Sequence, residues 1–225
     1  MPDKLYNIQL MNYLSSFLTE ARMERFNEII RERTRHVCVV LEDIYQPHNA
    51  SAVLRSCDCF GIQDVHIIEN KNKYEVNPDV ALGSSKWLTL IKYNQAANNT
   101  KDCIAKLKES GYNIAATSPH KNDYLIEELP LNNKIALFFG TEKDGLSEDV
   151  LDNADLFVKI PIFGFTESFN ISVSVALCLY SITSRLRKSN IKWHLNEEEI
   201  TNIKIQWIKN TLKNPELLMR EFEKK

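Results

Sequence analysis

Short runs of β-branched and aliphatic residues alternate with amphipathic segments between residues 36 and 188. The runs predict strands at 37–41, 65–68, 88–91, 113–117, 135–139 and 156–160. The intervening segments have the apolar spacing of helices, at 49–60, 97–110, 147–153 and 168–187. Nearly continuous apolar strands that alternate with helices are typical of sheets buried on both sides. The pattern therefore predicts an α/β fold with a parallel sheet and helices on both of its faces.

The two ends of the chain follow a different pattern, which predicts helical extensions. Residues 5–35 carry apolar positions at helical spacing and are predicted as one helix. Towards the C-terminus, Asn196 is expected to cap a helix whose first turn is acidic, and a shorter helix begins near Pro215. We therefore divide the chain into an N-terminal helical extension (1–35), a central domain (36–188) and a C-terminal helical extension (189–225).

The net charge of the 225-residue chain is −2 and its pI is about 6.2, so the protein as a whole does not attract nucleic acid. An RNA partner would have to meet local cationic patches. Two such patches are predicted, in the N-terminal helix and at the end of the last helix of the central domain. The first patch contains Arg22, Arg25, Arg31, Arg33 and Arg35, and the second contains Arg185, Arg187, Lys188 and Lys192. The residues predicted to contact RNA are Arg22, Arg25, Arg31, Arg185 and Lys188. Glutamates interleave with the first patch, so a solvated helix face is the alternative to an RNA-backbone contact there.

The five cysteines show neither the spacing of a zinc site nor a CxxC pair. They predict buried, reduced thiols in a cytoplasmic protein that binds no metal. The first ten residues lack the pattern of a signal peptide. The most apolar run, 171–182, is too short and too rich in serine to span a bilayer, so no membrane partner is expected.

Polar residues suited to chemistry follow three of the predicted strands. After the first strand, Asn49 is expected to cap the next helix, and Arg55 lies one to two turns further on. A guanidinium at this place would form a fork for phosphate. For Arg55 by itself, a surface ion pair with Asp58 is the simpler explanation.

The other two stretches also combine glycine with polar side chains. The strand at 135–139 ends at Gly140, whose backbone can lie flat against a planar ligand, and Glu142 follows at the edge of the sheet. The continuation differs from a phosphate-binding loop, which disfavours nucleotide triphosphates. After the strand at 156–160, Ser168 is expected to cap a helix whose first N–H groups point into the preceding loop.

The carboxyl ends of parallel strands meet at one edge of a sheet, so the three loops are expected to enclose a common cleft. No histidine is placed as an obvious base, and no Ser-His-Asp set is found in the sequence. The residues by themselves therefore indicate a ligand-binding α/β protein with a polar cleft.

Taken together, the three stretches resemble the motifs of the SPOUT methyltransferases, in particular the SpoU/TrmH family of RNA ribose 2′-O-methyltransferases. They read NASAVLR at 49–55, FGTEKDGL at 139–146 and IPIFGFTESFNISV at 160–173. The resemblance implies a deep trefoil knot in the C-terminal part of the central domain, S-adenosylmethionine as cofactor and an obligate homodimer. It implies cofactor contacts, largely through backbone atoms, at Thr117, Gly140, Ile160, Ile162 and Phe169.

The resemblance also implies roles for five polar residues. Arg55 is the residue that acts at the reacting 2′-hydroxyl, and Asn49 supports it. Glu142 and Asn170 shape the reaction site, with Ser168 beside them. Because the pKa of a guanidinium exceeds about 12, we expect Arg55 to hold the RNA phosphate and orient the hydroxyl rather than to remove its proton.

The ends of the chain bear on the RNA substrate. Family members that act on ribosomal RNA often carry an N-terminal domain, for which the roughly 36 residues before the first strand are too few. Family members that act on the tRNA wobble ribose have almost no extension at either end of the methyltransferase domain. Those that methylate guanosine 18 in the tRNA D-loop have helical extensions, as this chain has. We therefore expect guanosine 18 of tRNA as the substrate. A ribosomal-RNA methyltransferase and a non-catalytic RNA-binding protein are the alternatives.

Overall fold

The computed structural model describes residues 4–75, 83–118 and 124–224, which form two compact units. One unit is Thr34–Trp193, and the other combines the described parts of Met1–Arg33 and His194–Lys225. The helices are α1 Lys4–Ser15, α2 Glu20–Ile30, α3 Pro47–Cys59, α4 Asn99–Glu109, α5 Glu148–Asn153, α6 Ile171–Lys188, α7 Glu197–Thr211 and α8 Pro215–Phe222. The strands are β1 Val37–Glu42, β2 Asp64–Ile68, β3 Thr89–Tyr93, β4 Tyr112–Thr117, β5 Tyr124–Leu125, β6 Lys134–Phe139 and β7 Leu156–Lys159. None of these helices is long and apolar enough to cross a bilayer.

The described strands of the larger unit form a seven-stranded sheet in the order β3-β2-β1-β6-β4-β7-β5, with every pair parallel. Side chains of β1 alternate between two cores, Val39 and Leu41 in one and Cys38 and Val40 in the other. Helices α3 and α6 cover the first core, and α4 and α5 cover the second. The prediction of a parallel sheet between two layers of helices is confirmed.

Two local predictions for the elements are wrong. The N-terminal helix is two helices, because Ser15 and Ser16 turn their hydroxyls onto preceding carbonyls and Thr19 caps a new helix at the backbone N–H of Arg22. Strand β5 was not predicted, since two residues are too few to show an alternation. The cap predicted at Asn196 is confirmed as a reciprocal capping box with Glu199.

The smaller unit is built from the two ends of the chain. Helix α1 packs against α7 and α8, and α2 packs against α7. Its centre is Trp207, which is 1% exposed and meets the edge of the Phe26 ring at a centroid distance of 5.5 Å. The buried guanidinium of Arg33 lies 5.4 Å from the centroid of the same indole. The terminal segments therefore share one core, while the domain limits at residues 35 and 188 stay a prediction.

All five cysteines are free thiols. Four are buried, and burial raises the pKa values of Cys103 and Cys178 to about 12, so these two stay protonated and inert. The prediction that all five are buried is wrong for Cys59, which ends α3 and is exposed.

The buried side chain of His66 makes the stability of the fold depend on pH. Its ring is stacked on Tyr93, with Nδ1 3.0 Å from the hydroxyl, and burial lowers its pKa to about 4. Between about pH 6.5 and pH 4 the unfolded chain binds the proton that the folded chain excludes. The free energy of unfolding therefore decreases as the pH is lowered through this window. We expect a loss of about 3 kcal/mol in the free energy of unfolding over the window.

The measurement is urea unfolding at several pH values for the native chain and for His66→Gln. The variant lacks the titrating group, so its free energy of unfolding should fall less between pH 6.5 and pH 4. Parallel curves for the two proteins would show that His66 does not carry this part of the pH dependence.

Candidate active site

The loops that follow β1, β6 and β7 meet at the carboxyl edge of the sheet through three side chains. Oε1 of Glu142 accepts from the side-chain amide of Asn49 at 2.9 Å and from that of Asn170 at 2.7 Å. The Asn170 amide also lies 3.1 Å from Oδ1 of Asn49. Hydrogen bonds to a carboxylate are stronger than those between neutral groups. A single carboxylate oxygen therefore holds the three loops together, and this set is called the Asn–Glu–Asn cluster below.

The helix starts beside the cluster differ from those predicted. Helix α3 begins at Pro47 after Gln46, whose side chain does not cap it. Proline suits the first position of a helix because its ring fixes a helical φ and its missing N–H would have no partner within the helix. Asn49 therefore lies within the first turn, and its amide is available to Glu142. The cap of α6 is Asn170 and not Ser168, since Oδ1 of Asn170 accepts from the backbone N–H of Ser172 at 2.9 Å. Asn170 thus caps a helix with its oxygen and joins the cluster with its nitrogen.

The loop after β6 closes tightly on itself. Thr141 and Gly145 exchange two backbone hydrogen bonds of 3.0 Å, and Gly145 has a φ of 69°. A Cβ at Gly140 would lie 2.0 Å from the carbonyl oxygen of Gly145. Glycine is required at 140 by the chain's own turn, in addition to any ligand that approaches it. Ser147 caps the following helix α5, since its hydroxyl oxygen accepts from the backbone N–H of Val150.

A cavity of about 370 Å³ opens between these loops and the first two turns of α6. Its lining includes all five positions for which cofactor contacts were predicted: Thr117, Gly140, Ile160, Ile162 and Phe169. Glu142 and Ser168 also line it. Sequence reasoning missed Ser174 and Cys178, which line the cavity from α6. Their spacing of three and seven residues from Ile171, which is also on the wall, is the helical signal that would have found them.

The cavity combines apolar walls with charged groups of both signs. Ile160, Ile162 and Leu146 supply apolar surface. The charged lining residues are the acids Glu142, Asp144 and Glu167 and the lysines Lys143 and Lys159. Such a lining suits an organic ligand that is partly apolar and carries charged groups. Within residues 4–75, 83–118 and 124–224 we find no group of three or more histidine, cysteine, aspartate or glutamate side chains that could hold a metal ion.

Arg55 is the one predicted reaction-site residue that belongs neither to this cavity nor to the cluster in a single chain. It is exposed on α3, six residues after Asn49. Six residues of an α-helix rise about 9 Å and turn the side chain about 120° away. Among the described residues Arg55 has no hydrogen-bond or ion-pair partner, so the alternative surface pair with Asp58 does not form.

The predicted RNA-contact cations differ in their availability. Arg22, Arg31 and Lys188 are exposed, and Arg25 forms an exposed ion pair with Glu28 at 3.0 Å. Arg185 instead donates to the carbonyl oxygens of Ile126 and Leu129 at 3.0 and 2.9 Å. Burial lowers the pKa of Arg185. The guanidinium of Arg185 therefore anchors the segment after β5, and its geometry does not favour the RNA contact predicted for it.

The chain matches known proteins over most of its length. Residues 36–180 match the model of the SpoU rRNA Methylase family. A tRNA (guanosine(18)-2′-O)-methyltransferase of Borreliella burgdorferi is 47% identical over 207 residues, which are 92% of this chain and 93% of the relative. The enzyme of the same name from Thermus thermophilus is 31% identical over 85% of this chain and 97% of its own.

A solved structure has the same architecture. The crystal structure of a TrmH/SpoU tRNA modifying enzyme from A. aeolicus superposes with a TM-score of 0.75 and 28% identity, covering 86% of this chain and 98% of that one. The family model spans all three motifs, and the loops that carry them meet at the cavity described above. The chain therefore belongs to the SpoU methylase family, as its motifs predicted.

Proposed function

We propose that this protein transfers a methyl group from S-adenosylmethionine to a ribose 2′-hydroxyl of RNA, at guanosine 18 of the tRNA D-loop. The observation that carries the proposal is the convergence of three distant loops on one cavity through the Asn–Glu–Asn cluster. Guanosine 18 is supported by the two tRNA (guanosine(18)-2′-O)-methyltransferases that match this chain over more than four fifths of its length.

The cavity fits the proposed cofactor. Its volume of about 370 Å³ lies within the range of small-molecule sites, which is about 300–1,000 Å³. The residues that would hold the cofactor are Thr117, Gly140, Ile160, Ile162 and Phe169. When bound, S-adenosylmethionine supplies a methyl group on a positively charged sulfur. The carboxylate of Glu142 on the wall favours that charge.

The Asn–Glu–Asn cluster prepares the acceptor side of the site. Glu142 holds both amides in place, so neither has to be ordered when RNA binds. Asn170 is itself fixed at the start of α6, and Ser168 lines the cavity two residues before it. We assign these side chains to positioning the ribose against the methyl donor.

We further propose that the protein acts as a homodimer. Helix α6 exposes an apolar stripe at Val173, Leu177 and Tyr180, whose exposures are 44%, 39% and 65%. In the loop before it, Phe163 and Phe165 are almost fully exposed. A second copy of this chain is the occupant that we infer for this surface, because the stripe adjoins the cavity and faces of this kind pair about a twofold axis.

The dimer would also explain the position of Arg55. A single chain leaves this guanidinium away from its own cavity, without a partner among the described residues. We propose that Arg55 of one protomer serves the cavity of the other. There it would bind the RNA phosphate and stabilise the negative charge that develops on the ribose oxygen. We also propose that the C-terminal part of the central domain forms a trefoil knot and that the protein is cytoplasmic.

The test is methyl transfer from labelled S-adenosylmethionine to a tRNA transcript and to a matched transcript in which guanosine 18 lacks the 2′-hydroxyl. We expect label on the first transcript and none on the second, because only the acceptor oxygen differs. Ribosomal RNA serves as the second substrate pool. Equal labelling of both tRNA transcripts would exclude guanosine 18, and labelling of ribosomal RNA alone would assign the alternative substrate.

A further inference from the structure

Asp43 has an unusual backbone conformation at the end of β1. Its φ is 54°, the one positive value among the non-glycine residues that the structure describes. Its buried Oδ1 accepts from the backbone N–H groups of Asn70, Lys71 and Asn72 at 2.7, 2.8 and 3.2 Å. The side-chain amide of Asn72 donates back to the Asp43 carbonyl at 2.9 Å. Strained conformations held by several bonds are concentrated at functional sites, so this loop is a candidate for a function.

The loop at 70–73 is anchored at both ends. At its start, the Asn70 amide donates to Thr100 at 2.8 Å. At its end, Tyr74 is buried and its backbone N–H donates to Glu69 at 2.9 Å. Between the anchors Lys71 and Lys73 are exposed. Within the described part of the chain neither ammonium group has a partner.

The charges around the loop leave it cationic on its outer side. The carboxylate of Glu69 is turned inward, where it accepts from Lys92 at 3.2 Å and from Asn94 at 2.7 Å. The carboxylate of Asp43 is occupied by its three backbone donors. Glu75 is exposed after the loop, and Lys86 is exposed on a short turn that packs against α3. The anchored acids therefore do not neutralise the two lysines of the loop.

The loop follows β2, so it lies at the same carboxyl edge of the parallel sheet as the candidate active site. The Tyr74 hydroxyl lies 3.5 Å from the carbonyl oxygen of Ala50 on α3. The neighbouring residue, Asn49, is bonded to Glu142 on the cavity wall. A chain of contacts thus leads from the cavity, through the first turn of α3, to Lys73.

We propose that the loop at 70–73 is a preorganised contact for the phosphate backbone of the RNA substrate, with Lys71 and Lys73 as its cations. This inference rests on the proposed function and names a part of the RNA surface that neither the motifs nor the predicted patches included. Lysine binds phosphate as a point charge, and a loop fixed in advance loses little entropy when RNA binds.

The experiment measures tRNA binding by the full chain against salt concentration for Lys71→Ala, Lys73→Ala and the double variant. The slope of log K against log salt is negative, and each lost phosphate contact reduces its magnitude by roughly 0.7 to 0.9. Over the decade from 1 M to 0.1 M salt this corresponds to roughly five- to eightfold weaker binding for each lysine at 0.1 M. Lys134→Ala is the matched control, since Lys134 is exposed at the start of β6, on the opposite edge of the parallel sheet. Its slope should equal that of the native chain.

An unchanged slope in the double variant would overturn the proposal. So would a loss of S-adenosylmethionine affinity in that variant as large as its loss of RNA affinity, because the loop would then support the cavity instead of the RNA. Native protein that neither binds nor methylates tRNA would overturn the proposed function as well, whereas methylation with an unchanged slope would overturn the loop contact alone.

Asp43 supplies a second and independent measurement. Asp43→Asn keeps an oxygen acceptor and tolerates the left-handed conformation, so its salt slope should remain close to native. Asp43→Ala removes the acceptor of three backbone donors, and its slope should fall towards that of the double lysine variant. Native slopes in both Asp43 variants would show that the loop does not need to be preorganised.

Discussion

The Arg55→Ala variant is expected to lose methyl transfer by roughly 10²- to 10³-fold, the usual cost of removing one group that stabilises charge in a transition state. Its affinity for S-adenosylmethionine should stay close to native, since Arg55 does not line the cavity of its own chain. Arg55→Lys should recover only part of the rate, because an ammonium group lacks the planar fork of the guanidinium. Single-turnover kinetics and calorimetry separate the two effects. Native turnover in Arg55→Ala would refute the role.

A heterodimer distinguishes action within one chain from action between chains. One protomer carries Arg55→Ala with an intact cavity, and the other keeps Arg55 but carries a bulky side chain at position 140 that abolishes cofactor binding. If Arg55 serves the partner's cavity, one complete site forms, and about half of the native activity should appear although each homodimer is inactive. An inactive heterodimer would show that Arg55 acts within its own chain.

The Gly140→Ala variant is expected to disrupt the loop after β6. The added Cβ would lie 2.0 and 2.2 Å from the carbonyl oxygen and carbon of Gly145, and 2.5 Å from the nitrogen of Leu146. These are backbone atoms, so no side-chain rotation relieves the contact. The turn must open, and overpacking of this kind typically costs about 1–3 kcal/mol of stability. Because Gly140 and Leu146 line the cavity, we also expect at least about tenfold weaker S-adenosylmethionine binding, equivalent to about 1.4 kcal/mol.

Gly164→Ala is the matched control for this prediction. It adds the same methyl group in the loop before α6, where nothing lies within 4 Å of the new atom. Urea unfolding and calorimetric titration with the cofactor should give near-native values for this variant. If both alanine variants behaved alike, or if Gly140→Ala bound the cofactor like native protein, the close approach of Gly140 to Gly145 would not govern the cavity.

The elements of the sheet were predictable because burial leaves a local trace. All six residues of β1 are buried, and the first five, 37–41, form a continuous apolar run that cannot be mistaken for a half-exposed strand. Helix starts were less predictable, because several polar residues near a helix end can satisfy its first N–H groups. Ser168 and Asn170 are both residue types that commonly cap helices. In the structure Asn170 is the cap, and its side-chain amide also donates to Glu142.

Charged residues were the hardest to interpret. Arg185 belongs to a cationic cluster in the sequence, yet its guanidinium is used by two carbonyl groups more than fifty positions away. No pattern in the sequence predicted an RNA contact at Lys71 or Lys73. They became candidates for such a contact only through the hydrogen bonds that Asp43 makes with their loop. Whether a cationic side chain is available to bind RNA depends on which carbonyl and carboxylate groups the fold places beside it. Local sequence patterns do not predict those contacts.

The class of fold, most of the strands and helices along the chain, and the three motifs that indicated the family could be predicted from the sequence alone. These properties are local, since burial, capping and turn formation depend on residues close together in the chain. The contact between Glu142 and Asn49, which are 93 positions apart, and the position of Arg55 outside the cavity of its own chain depend on the tertiary structure. Such meetings follow from the spatial order of the strands, in which β1 and β6 lie side by side, and hydrophobic periodicity contains no information about that order.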